Sequence, residues 1–380
     1  MSNKKIYFIN VITQGLSRAV TFAANFGVFI LIARLGGVEI FGQYSYVLAF
    51  LGLFTAIVDF GTGAALSKDI AQIKESAENY WGNFLILRLV TTMIIIAVSI
   101  IAAYYIRRDL FVPIVIGLFS LPFLASRFFE PIFQIYKRPW FSFYPALFYS
   151  ISYFLITLVL LFLGFDLLML VIAFIAANVT YTLMAFWLVY LILKPVFKYN
   201  WFIVKSILKI SFPLGVSSIF AIANSRAAVF MLAAMKSDYE VAIYNAADRL
   251  LNPIVLIIVT LITPVIPIFS SKVKSNMESL KYNYRKVIEL LGIVALPIAI
   301  IVPSVSSQIV IMIFGYGFMQ SSAVLNVMAW TAILIFLSIF NSTVLLVKGI
   351  VNFAYWNAGV ALLLSIALNY IWIPRYGVVG

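Results

Sequence analysis

Apolar runs of roughly 20 residues, each about 30 Å as a helix and so long enough to cross a bilayer, recur along the whole chain. Their limits predict eleven spans, near 9–33, 44–66, 83–105, 111–133, 143–164, 167–191, 209–233, 244–268, 286–304, 323–347 and 355–373. Segment 306–322 (SSQIVIMIFGYGFMQSS) is short and rich in glycine, and reads as a loop with an interfacial turn. The expected fold class is therefore an all-α polytopic membrane protein.

Within the spans the polar residues keep helical spacing, which turns sequence position into direction. In the first span Asn10, Thr13, Gln14, Ser17, Arg18, Thr21 and Asn25 form one stripe. The second has Gly52, Thr55, Asp59 and Thr62, the third Arg88, Thr91, Thr92 and Ser99, and the seventh Ser211, Gly215, Ser218, Ser225 and Arg226. In the eighth, Asn245, Asp248, Arg249 and Asn252 align, and Thr260 and Thr263 continue the line. A charge at mid-bilayer costs about 3 kcal/mol even on lenient insertion scales, so these stripes are expected to face one another or a water-filled interior.

Not every charge demands that reading. Arg88 and Arg127 fit snorkelling to headgroups as well as a cavity. Glu130 stands three residues after Arg127 and is expected to pair with it. Asp59, beside two glycines in DFGTG, fits helix capping or packing as well as proton carriage. Asp59, Glu130, Arg88 and Arg127 are thus candidates for ion coupling or gating.

Composition narrows the chemistry. The 380 residues are 64% hydrophobic and 10% charged, and contain neither Cys nor His. That removes disulfides, thiolate or imidazole metal sites and the Cys/His and Ser/His catalytic pairs. No metal, cofactor or enzymatic activity is expected. The net charge of +13 lies in short loops rather than in a basic domain, which argues against nucleic acid. Sixteen of the 26 Lys and Arg residues fall in the loops made cytoplasmic by an inside N-terminus, and five in the opposite loops. This positive-inside bias sets the expected topology.

The two halves are weakly alike at an offset of about 200, with QGLS at 14–17 against LGVS at 214–217. Duplicated halves are a common transporter plan. The expected lobes are 1–195 and 196–380. The odd span count leaves the second lobe short, so a twelfth span is expected. Prolines at 213, 253, 264, 267, 297 and 303 suit helices that bend.

Five stretches, IARLGGVEIFGQYSYV, DFGTGAALSKDIA, YNAADRLLNP, MIFGYGF and LNYIWIPRYGVVG, together resemble the oligosaccharide flippases of bacterial O-antigen and capsule pathways. These belong to the superfamily that includes the peptidoglycan lipid flippases and the multidrug and toxin extrusion transporters. The resemblance implies a V-shaped bundle of two six-helix lobes in the cell inner membrane. Its implied task is moving an undecaprenyl-pyrophosphate-linked sugar repeat to the outer leaflet, with proton or sodium coupling and polysaccharide-assembly proteins as possible partners. It also implies a cationic cavity, with ADRL carrying that role onto Arg249.

The residues themselves suit such a ligand, because arginines bind pyrophosphate oxygens bidentately and amides bond sugar hydroxyls. The expected substrate-binding set is Arg18, Arg226, Arg249, Gln14, Asn25, Asp248 and Asn252. A cation-coupled drug antiporter would favour acidic residues instead, and a membrane polymerase would need a large outer loop or an acidic metal cluster.

Overall fold

The computed structural model describes residues 3–63, 66, 77–124, 128–164, 166–262, 277–347 and 352–380. Their elements are helical throughout. In chain order they are α1 (Asn3–Leu31), α2 (Gly37–Asp59), α3 (Ala77–Ile106), α4 (Phe111–Leu118), α5 (Leu121–Leu124), α6 (Phe129–Ile135), α7 (Phe143–Phe162), α8 (Leu167–Tyr190), α9 (Trp201–Met235), α10 (Asp238–Ile262), α11 (Met277–Phe314), α12 (Ser321–Val347) and α13 (Asn352–Tyr376). Eight stretches among the described residues are long and apolar enough to cross a membrane, or nine with the bent pair Arg108–Leu118 and Leu121–Ile135.

This count reconciles with eleven expected spans element by element. The first stretch, Ile12–Asp59, has 48 residues. At the α-helical rise that is about 70 Å, twice a bilayer core. It holds the first two expected spans, joined by a π-helical turn at Ile32–Gly36. The bent pair is the fourth span. The eighth expected span coincides with α10 (Asp238–Ile262), which is not among the eight.

Two expectations change. The fourth span is not one straight helix over 111–133: a bend follows α4 and separates it from the stretch that holds α5 and α6. Backbone N–H groups at Phe119 and Ser120 turn back to Ile116 and Gly117, ending α4 in a turn. Residues 306–314 are not a loop, because α11 continues through them to Phe314. Only Gly315, at φ +98, stops it, and a short 3-10 turn at Tyr316–Phe318 follows. The glycine signal was real but local to 315–317.

The chain forms two compact units, one of residues 1–36 and 43–226, the other of 37–42 and 227–380. In the first, α1 packs on α7 and α7 on α8. Tyr44 and Tyr153, both fully buried, join their hydroxyls across α2 and α7. In the second, α12 packs against α10 and α11 around Ala295, Ala332, Phe336 and Phe340. Phe41 meets Phe318 edge-on at 5.2 Å, seating the start of α2 on the turn after α11.

Candidate functional site

The end of α2 explains DFGTG. Phe60 adopts a left-handed conformation (φ 39) and Gly61 follows at φ +71. A phenylalanine rarely holds that backbone, so something must oblige it. A Cβ on Gly61 would lie 2.7 Å from the Gly215 nitrogen, and one on Gly215 would lie 2.6 Å from the Phe60 carbonyl oxygen. Here α2 and α9 touch backbone to backbone, and only two glycines permit it.

One turn back, the α2 terminus is closed by a side chain from α3. Arg88, buried, donates from Nη1 to the Val58 carbonyl at 2.9 Å and to Thr62 Oγ1 at 2.8 Å, and from Nη2 to Asp59 Oδ1 at 3.0 Å. Its guanidinium stands 5.3 Å from the Phe128 ring centre. A cation at a helix C-terminus satisfies orphan carbonyls and opposes the negative end of the dipole. The fork of guanidinium donors makes all three bonds possible, which an ammonium could not reproduce in the same plane. The Asp59 side chain remains 39% exposed. Glu130 accepts from Tyr181 at 3.3 Å. Its expected partner Arg127 lies outside the described residues.

The polar stripes prove to be largely self-satisfied. Ser17 donates to the Thr13 carbonyl, Thr21 to Ser17, Thr55 to Leu51 and Thr92 to Arg88. On α10, Asn245 donates to the Val241 carbonyl at 2.9 Å and Asn252 to that of Asp248 at 3.0 Å. Such bonds to the carbonyl four residues back let a hydroxyl or amide sit in an apolar helix without any cavity. The stripe of α1 therefore divides. Thr13 and Ser17 are buried, whereas Gln14 is half-buried and Arg18 exposed.

Asn25 is the exception among the amides, because its Oδ1 accepts from Tyr149 of α7 at 2.9 Å. The contact fixes the amide's orientation and leaves Nδ2 as the group it can offer. Arg226 on α9 is half-buried, and among the described residues neither Arg18 nor Arg226 has an ion-pair partner. On α10, Asp248 and Arg249 are both half-buried. Among the described residues no cluster of acidic side chains could hold a metal ion.

Sequence reasoning missed Asn83. Fully buried on α3, it donates from Nδ2 to the Lys198 carbonyl at 2.8 Å and accepts from the Asn200 N–H at 2.7 Å. It grips the segment between α8 and α9. The clue was an amide at the mouth of an apolar run, unaccompanied by any stripe.

The chain is a polytopic helical membrane protein with arginines inside its spans. Residues 9–273 match the family described as polysaccharide biosynthesis protein, and the chain belongs to that family. It is 34% identical over 128 residues to the teichuronic acid biosynthesis protein TuaB of Bacillus subtilis. The match covers 33% of this chain and spans about a quarter (26%) of that relative. The fold is that of solved transporters of the MOP superfamily. The lipid II flippase MurJ in an inward closed conformation aligns at TM-score 0.75 and 15% identity, over 98% of this chain and 83% of that one. An inward-facing multidrug resistance MATE family transporter aligns at 0.67 and 17%, over 97% and 92%. A MOP superfamily transporter from Pyrococcus furiosus aligns at 0.67 and 18%, over 100% and 90%.

Proposed function

We propose that the protein is a flippase carrying an undecaprenyl-pyrophosphate-linked oligosaccharide from the cytoplasmic to the outer leaflet of the cell inner membrane by alternating access. The observation that carries this reading is the contrast between arginines. Arg88 is neutralised within the first unit by Asp59 at 3.0 Å, whereas Arg18 and Arg226 have no ion-pair partner among the described residues. An uncompensated cation within a span is costly, and a travelling anion offsets that cost while it is bound. A pyrophosphate diester is such an anion, and guanidinium groups match its oxygens.

In this reading Arg18, Arg226 and Arg249 bind the pyrophosphate. Gln14, Asn25 and Asn252 meet sugar hydroxyls, and Asp248 tunes the charge beside Arg249. The N-terminus lies in the cytoplasm. A proton or sodium gradient drives the return step, with Asp59 and Glu130 as the in-span acids that could respond to it. Membership of a polysaccharide biosynthesis family supports the saccharide.

The test is to delete the gene and determine on which leaflet lipid-linked repeats accumulate. Accumulation on the inner leaflet with loss of surface polysaccharide supports the proposal. Normal delivery to the outer leaflet refutes it.

A further inference from the structure

The segment joining α8 to α9 is a fixed strap. The Val196 N–H donates to the Glu78 carbonyl at 3.1 Å, and Asn83 grips Lys198 and Asn200 on both sides. A Cβ on Gly82 would fall 1.9 Å from the Val196 oxygen, so the strap lies directly on the α3 backbone. Asn200 then caps α9, its Oδ1 accepting from the Phe202 N–H at 3.0 Å. None of this anchoring uses the strap's own charged or aromatic side chains.

Those side chains point outward. Lys194, Lys198 and Lys205 are exposed, as are Phe197 (64%), Trp201 (55%) and Phe202 (83%). The first turns of α9 repeat the division, with Val204 and Ile207 buried and Lys205 and Lys209 outside. Water would not favour so many bare aromatic rings, and hydrocarbon would not accept the lysines. The mixture belongs at the level of lipid headgroups. Its charge is also one-sided. No Asp or Glu occurs between Asp166 and Asp238, and among the described residues none of these lysines has an ion-pair partner. The nearest acid on the packed neighbour is the single Glu78, through whose carbonyl the strap is held. Among the described residues no acid pairs with these lysines, and acidic headgroups at this level offer that charge.

We propose that this strap is a binding site for anionic phospholipid headgroups, with Lys194, Lys198 and Lys205 contacting phosphates and Phe197, Trp201 and Phe202 seated among the acyl-chain carbonyls. The site is independent of whatever the protein carries. It holds one end of the first unit at the membrane surface, and it makes retention of acidic lipid a property of the strap rather than of the spans.

The absence of cysteine from these 380 residues allows a clean test in this chain. Ser206→Cys, on the exposed face beside Lys205, carries an environment-sensitive fluorophore in vesicles of phosphatidylcholine with or without phosphatidylglycerol. Native mass spectrometry of the same proteins counts the phosphatidylglycerol retained. The expected result is a blue-shifted, iodide-protected label only when phosphatidylglycerol is present. Lys194→Gln, Lys198→Gln and Lys205→Gln together abolish it, each lysine lowering phosphatidylglycerol retention about five-fold. Removing three charges elsewhere, Arg108→Gln, Lys236→Gln and Arg375→Gln, leaves retention unchanged, and both triple variants keep the wild-type melting temperature. Equal retention by the strap variant and the wild type overturns the proposal. So does a label protected only after a soluble protein fraction is added, which would make the strap a protein-docking surface.

Discussion

Arg88 and Asp59, 29 residues apart in sequence, meet at 3.0 Å where α3 closes the end of α2. The pair gives Arg88 a structural role in holding two helices together. Asp59→Ala strips a buried guanidinium of its carboxylate partner, and is expected to cost about 2 kcal/mol. Arg88→Lys is expected to rescue poorly, because one ammonium cannot serve three acceptors in the guanidinium plane. Thermal unfolding in detergent, read for both variants, checks this.

The glycine contact makes a second prediction. Gly61→Ala imposes strain at φ +71 and drives a methyl to 2.7 Å from the Gly215 nitrogen, so a loss of about 2 kcal/mol or more is expected. Gly52→Ala on the same helix meets nothing within 4 Å and should be neutral or slightly stabilising. A melting-temperature comparison of the two separates the contact from any general intolerance of α2.

Asn83→Ala frees the Lys198 carbonyl and the Asn200 N–H together. A loss of about 2 kcal/mol is expected, with faster proteolysis near residues 194–200 as its local signature. Limited trypsin digestion, mapped by mass spectrometry, distinguishes a released strap from global unfolding.

Tyr149→Phe removes the bond that orients the Asn25 amide. The fold should lose only about 1 kcal/mol, whereas transport should fall further, as it should in Asn25→Ala. A transport assay beside a melting curve tests this, because a purely packing role for Tyr149 would lower both in step.

Much of the architecture was legible in the sequence, since a bilayer demands long apolar helices and leaves few other arrangements. The order of spans, the break after the first span and the polar faces of α1 and α10 all follow from periodicity. What periodicity could not supply was partnership. By spacing alone Ser17 and Asn245 belong to a cavity no less than Arg18 does, yet each donates to the carbonyl four residues back on its own helix. No basic residue lies within a turn of Asp59 in sequence, because its cation sits on another helix. Asn83 carried no pattern because its partners are backbone groups of a distant segment. Hydroxyls and amides are legible as polar positions, but only three dimensions separate those that are satisfied from those still able to bind.

The most direct test of the carrier reading compares four variants in cells lacking the native gene. Arg18→Ala, Arg226→Ala, Arg249→Ala and Arg88→Ala are scored for protein level and for the leaflet holding lipid-linked saccharide. The expected result is that the first three keep normal protein levels and strand the saccharide on the inner leaflet, while Arg88→Ala lowers the protein level itself. Normal outer-leaflet delivery by the Arg18, Arg226 and Arg249 variants would contradict the account.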